Sequence, residues 1–185
     1  MKPLVSNLVP ALAVASPRAK NLFVVGMLVL AASFFATLMP SVCSAAEDAR
    51  IAKSMAALKE QTAKLGAPKI EGTDAVGGKD APTLYFGSTK MNNNSAVVDA
   101  VAKEGGEGMA ATLFVKGGDE YIRVATTLPK ALGTALTGPA LDAIKAGKGY
   151  YGEAPVLGTP YITGYEPIKD ASGAIVGIYF VGYKK

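Results

Sequence analysis

Arg123, in the segment EYIRVATT (120–127), and Tyr161, Thr163 and Tyr165, in PYITGYEPIK (160–169), have the types and spacing best suited to recognition chemistry. A guanidinium pairs with a carboxylate in bidentate fashion, and nearby hydroxyls fix the orientation of the bound group. Strand alternation places Tyr121, Arg123 and Ala125 on one face and Ile122, Val124 and Thr126 on the other. Tyr161, Thr163 and Tyr165 share a face by the same rule. An Arg on the covered face of a sheet is expensive unless it is paired, which singles out Arg123. Against this stands the ordinary arrangement, in which a strand Arg points to solvent and the apolar Ile122/Val124 face makes the core. Tyr150 and Tyr151 are adjacent, so only one can face such a pocket, and Tyr151 is assigned to it. The expected ligand contacts are therefore Arg123, Tyr121, Tyr151, Tyr161, Thr163 and Tyr165. Glu166 and Lys169 read as surface or turn charges, Asp119 and Glu120 as part of a hairpin turn, and residues 92–94 as a polar loop and helix cap.

What is missing narrows the chemistry. The 185 residues contain no His and no Trp, and the single Cys is Cys43. Past residue 46 there is neither thiol nor imidazole, which excludes Ser-His and Cys-His nucleophiles, zinc held by Cys or His, and haem ligated by either. No cofactor motif is present and none is expected. An enzyme here would have to work with Asp, Glu, Lys, Tyr or Ser alone, and no motif for that appears. The net charge of +4 belongs largely to residues 1–46, which hold Lys2, Arg18 and Lys20 and no acid; beyond them 16 basic residues face 15 acidic ones. Basic residues are spread thinly, so nucleic-acid binding is excluded as a leading function.

The elements that must position these residues follow a leader. Residues 22–38 form an uncharged apolar run of 17, preceded by Arg18 and Lys20 and followed by Ser44-Ala45-Ala46. These are the parts of a secretory signal, and 17 residues also reaches the lower edge of a membrane span. Residues 1–46 are thus expected to be a signal peptide or an N-terminal anchor. The remainder is expected to be periplasmic or secreted, or held at the inner membrane with the domain outside the cytoplasm. Ile51, Met55, Leu58, Thr62 and Leu65 then mark an amphipathic helix over 47–66, closed by Gly66 and Pro68. Residues 66–81 read as a linker or loop, and TLYFGS (83–88) as a strand. SAVVDAVAKEGG reads as a short helix with Val97 and Val101 facing inward. ATLFVK (111–116) and EYIRVATT flank a hairpin turn. Gly138-Pro139 opens a short helix, and three further strands run through YYGEAPVL, PYITGYEPIK and AIVGIYFVGYK. Short connections make antiparallel neighbours, so the expected class is α+β: one antiparallel sheet of five or six strands flanked by helices.

Three segments in this order, LYFGSTKMNNNSAVVDAV, ATLFVKGGDEYIRVATT and YYGEAPVLGTPYITGYEPIKDASGAIVGIYFVGYKK, resemble the Cache 3/Cache 2 fusion domain. The likeness runs over about residues 67–185. It implies a PAS-like single Cache fold: a long N-terminal helix, an antiparallel sheet, and a small-molecule pocket on one face. It also implies extracytoplasmic sensing in signal transduction or chemotaxis, with a small carboxylate or amino acid as ligand. In receptors of this family the N-terminal helix packs on a second copy, which implies a homodimer through Ile51, Met55 and Leu58. Where the family carries a longer loop after Thr127, this chain has only LPKAL before Gly133, so that rim of the pocket is expected to be altered. No second membrane helix or signalling domain follows within the sequence, so a separate membrane signalling protein is the expected partner. The alternative is a degenerate Cache domain kept as a ligand-free envelope interaction protein.

Overall fold

The computed structural model describes residues 49–185; the expected leader lies outside the described residues. Helix α1 spans Ala49–Ala63. Its apolar residues recur every three or four positions, so Ile51, Met55 and Leu58 fall on one stripe and are buried at 0, 2 and 0 % exposure. That stripe packs on a five-stranded antiparallel sheet made of β4 (Met109–Gly117), β5 (Glu120–Thr126), β6 (Tyr150–Val156), β7 (Thr159–Lys169) and β8 (Ile175–Lys184). The strand order is β5-β4-β8-β7-β6, with β8 in the centre. This is the α+β, PAS-like architecture that the sequence led us to expect.

Two side-chain pairs fasten α1 to the central strand. Ser54 Oγ lies 2.9 Å from the Tyr183 hydroxyl, which in turn donates to the Gly105 carbonyl. Thr62 Oγ1 lies 3.2 Å from the Tyr179 hydroxyl and donates to the carbonyls of Leu58 and Lys59. Each polar group buried under the helix is thereby satisfied, as burial requires. Helix α2 (Ala96–Gly105) packs beside α1, with Val98 and Val101 inward; Val98 holds the place expected for Val97, which is only partly buried.

The stretch 66–81 is not a loop. It forms β1 (Pro68–Val76) and the start of β2 (Lys79–Phe86), which with β3 (Thr89–Lys90) make a second antiparallel sheet. A register shift between Ile70 and Thr73 marks a bulge near Gly72, and most of β1 is exposed. A strand that faces water shows no apolar alternation, which is why its composition resembles a loop. Val76, Ala81, Leu84 and Phe86 join the core beneath α1 and α2.

The opposite face of the large sheet is covered more lightly. A 3-10 turn at Pro129–Ala131, the segment to Leu136, and the seven-residue helix α3 (Pro139–Lys145) lie over Phe114, Tyr121, Tyr161, Tyr165, Ile178 and Phe180.

The burial of Ile51, Met55 and Leu58 inside one copy corrects the expected dimer contact: those side chains are consumed by the intramolecular core. Replacing Leu58 with Ala is expected to cost about 2–5 kcal/mol, because a wholly buried leucine leaves a cavity as well as losing its transfer energy. Urea unfolding followed by circular dichroism checks it; a loss below about 1 kcal/mol would mean the helix is not seated on this core.

Candidate functional site

Strand β5 does not alternate regularly. Leu113 pairs with Ala125 but Phe114 pairs with Arg123, so Val124 is an extra residue, a β-bulge. The bulge turns both Val124 and Ala125 toward the α1/α2 core and leaves Tyr121 and Arg123 on the lightly covered face. Thr126 returns to that second face, where its hydroxyl lies 2.7 Å from that of Thr112, its partner on β4. The expected grouping of Ala125 with Tyr121 and Arg123 is corrected accordingly. The carbonyl of Val124 is taken by the Asn93 backbone N–H at 2.8 Å.

Arg123 lies over the Phe114 ring, its guanidinium carbon 4.7 Å from the ring centroid. Its Nη1 donates to Thr134 Oγ1 at 2.7 Å and to the Ala135 carbonyl at 3.3 Å. Among the described residues no carboxylate pairs with it. Burial pushes its pKa down from the ordinary value, and the Tyr165 phenol opposes that shift. The group is nonetheless an arginine and stays charged at neutral pH. A half-buried guanidinium held only by neutral acceptors and an aromatic face thus looks into a cleft of about 230 Å³. Tyr165, Tyr150, Leu136, Pro139, Ala154 and Glu153 line the same cleft, the Glu153 carboxylate being paired with Lys185.

The segment that holds Arg123 is itself held from behind. Residues 133–136 run along the outer edge of β5, with backbone bonds from Gly133 to Arg123, from Arg123 to Thr134 and from Leu136 to Tyr121. The β1–β2 turn presses against this segment where Gly77 meets Gly133. A Cβ on Gly133 would stand 2.6 Å from the Val76 carbonyl oxygen, and one on Gly77 would stand 2.5 Å from that of Leu132. Both residues also have positive φ, so only glycine allows this backbone-on-backbone contact.

Aromatic rings make the floor of the cleft. Tyr165 is 2 % exposed and sits 4.8 Å from Phe180, 6.1 Å from Tyr150 and 6.4 Å from Phe114, centroid to centroid. Burial pushes its phenol up to about 12. Tyr150 donates its hydroxyl to the Glu153 carbonyl.

Of the six residues expected to converge, Arg123 and Tyr165 line this cleft together. Tyr161 and Thr163 are buried on the same face, the Thr163 hydroxyl donating to the Gly152 carbonyl at 2.7 Å. Tyr121 shares the face but lines a different concavity, beside Lys116 and Lys145. Tyr151 points to the other side of the sheet, donating to Glu166, which is also bound by Lys59 of α1. Tyr150 therefore occupies the place assigned to Tyr151. The signal was available: Tyr150 is paired with Tyr165 across β6 and β7, and cross-strand partners share a face. Glu166, expected as a surface or turn charge, is a partly buried link between β7 and α1.

An antiparallel sheet with its N-terminal helix on one face and a small, loop-rimmed cleft on the other defines a PAS-like sensory domain. The chain belongs to the Cache 3/Cache 2 fusion domain family, which matches residues 39–185. Cache domains are extracytoplasmic sensor domains used in signal transduction. A search of the curated proteins finds no match. Among the described residues no helix is long and apolar enough to cross a membrane.

The raised pKa of Tyr165 has a consequence for stability. A folded value of about 12 against an unfolded one near 10 means that the folded state holds the proton more tightly between those limits. Stability is therefore expected to fall as pH rises from about 10 to 12, by roughly 2–3 kcal/mol for this group. Tyr165→Phe should flatten that slope in alkaline denaturation; an unchanged slope would mean the ring does not titrate as buried.

Proposed function

We propose that the protein is an extracytoplasmic sensor whose Arg123 cleft binds a small carboxylate or amino acid, with a separate membrane signalling protein as its output. The observation that carries this reading is a half-buried guanidinium with no acidic partner among the described residues, aimed into a small cleft whose walls are mainly aromatic and apolar. The one carboxylate in the lining, Glu153, is paired with Lys185 instead. Arg123 supplies a planar fork suited to a carboxylate, and both of its protein hydrogen bonds use Nη1 alone. Among the described residues every buried side-chain nitrogen and oxygen has a partner, so the remaining donors of Arg123 are those open to the cleft. Tyr165 and Tyr150 give the non-carboxylate part of the ligand an aromatic wall. The cleft volume lies below the roughly 300–1,000 Å³ of drug-sized pockets, which favours a small metabolite. Sensing in chemotaxis, placement in the periplasm and export by a cleaved signal or retention by an anchor in residues 1–46 belong to the same proposal. No catalytic role is proposed.

A thermal-shift screen against acetate, pyruvate, dicarboxylates and the amino acids tests it. A ligand at a hundredfold its dissociation constant adds about 2.7 kcal/mol and should raise the midpoint by roughly 5–10 °C. The shift should vanish in Arg123→Ala, measured against that variant's own ligand-free midpoint, and survive in Tyr151→Phe, which lies across the sheet. No shift with any member of the panel would favour the ligand-free interaction module. A shift retained in Arg123→Ala would remove the carboxylate site from this cleft.

A further inference from the structure

We propose a second binding site, for a small phosphate-bearing anion, in the concavity beyond the C-terminal end of α3. It is distinct from the Arg123 cleft and does not depend on the reading given to that cleft. The concavity has a volume of about 480 Å³ and is lined by Lys116, Tyr121, Lys145 and Asp119, with the start of β8 at Ala174 and Ile175 as its wall.

Three groups from three elements meet there. Tyr121 is 3 % exposed as a residue, and its hydroxyl, which makes no hydrogen bond among the described residues, is not among the atoms sealed from solvent. Every fully buried polar side-chain atom among the described residues is satisfied, so this hydroxyl is the edge of the side chain that reaches the concavity. Lys116 is the direct cross-strand partner of Tyr121, which puts both side chains on the same face of the sheet. Lys145 comes from the last turn of α3. Neither lysine forms an ion pair among the described residues. Asp119, exposed on the β4–β5 turn, is the one acid in the lining and leaves the concavity net positive.

The donor types select the ligand. Ammonium groups are compact point charges with freely rotating protons, and they suit a tetrahedral oxyanion; the planar guanidinium fork that matches a carboxylate is absent here. A phenol adds one directed donor, made stronger toward an anion by the partial loss of water around it. Burial also pushes the Tyr121 pKa up, so the proton stays available for donation. The volume accommodates more than an inorganic ion, which points to a small phosphate ester with the phosphate at the Lys116–Tyr121–Lys145 corner.

Titration of the protein with inorganic phosphate, followed by amide chemical shifts at constant ionic strength, tests the proposal, with chloride and acetate as comparison anions. Saturable shifts are expected at Lys116–Tyr121, at Lys145, and at Ala174 and Ile175. They should weaken at least tenfold in K116A/K145A and a few-fold in Tyr121→Phe, and stay unchanged in Arg123→Ala. Tyr121→Phe should keep its ligand-free thermal midpoint, because the hydroxyl has no partner to lose. Shifts that grow linearly with phosphate, that chloride reproduces, or that persist in K116A/K145A would overturn the site. Loss in Arg123→Ala would assign the anion to the other cleft, and equal saturation by acetate would overturn the phosphate selectivity.

Discussion

Strands β4 and β8 are buried on both faces, and this double burial is the constraint from which the rest of the molecule follows. Phe114, Ile178 and Phe180 point one way from these strands, while Leu113, Val115, Tyr179 and Val181 point the other. Both sides must therefore be covered, but the covers differ in size. On one side α1, at about 1.5 Å per residue, is roughly 22 Å long and is joined by α2 and the small sheet. On the other side α3 has seven residues and a length of only about 10 Å. Five strands spaced at about 4.8 Å span roughly 19 Å between their outer members, so α3 cannot close that face. The cleft at Arg123 and the concavity at Tyr121 are what remains at either end of the short helix.

The incomplete cover also explains how a charge comes to lie in the sheet. A guanidinium under a long helix would be cut off from water and would need a carboxylate to offset its desolvation. At Arg123 the cost is spread over Thr134, the Ala135 carbonyl and the Phe114 ring, while the open cleft keeps the remaining donors in reach of solvent or ligand. A cation–π contact of this kind is worth about 0.5–2 kcal/mol, and a hydrogen bond from a charged donor about 1.5–3. These are enough to hold a half-buried arginine in one orientation without neutralising it. The orientation depends on the chain at 133–136, which has its own support in the Gly77–Gly133 contact. The loop after Thr127 is thus braced from behind by the second sheet.

The strands of the main sheet, both later helices and the aromatic face of β7 are legible in the sequence because buried alternation and turn residues mark them locally. What is not legible arises where two distant segments meet. Strand β1 is polar because water covers it, so only its pairing with β2 makes it a strand. The bulge at Val124 leaves no trace in composition; its freed carbonyl is satisfied by Asn93, some thirty residues away in the chain. The apolar stripe of α1 is visible, but whether Ile51, Met55 and Leu58 meet a second copy or the chain's own sheet is a question of supply. Here the sheet offers an apolar face that α2 and the small sheet leave partly uncovered. Tyr150 is a different case, since cross-strand pairing alone places it beside Tyr165 and Tyr151 behind it.

That last pairing gives the fold its internal connection. Tyr150 and Tyr165 are register partners on the cleft face, and their chain neighbours Tyr151 and Glu166 are bonded to each other on the opposite face. Glu166 also holds Lys59 of α1. Successive strand residues cannot move independently, because a shift of one backbone unit carries both faces with it. The aromatic floor and α1 are therefore joined through two side chains and one strand, with no intervening loop. The apolar contacts of Ile51 and Leu58 tolerate small sliding, whereas a carboxylate shared between a phenol and an ammonium is directional. The polar link at Glu166 is thus a directed tie between α1 and the rung of the sheet that floors the cleft, beside the apolar contact of Ile51 at Gly164.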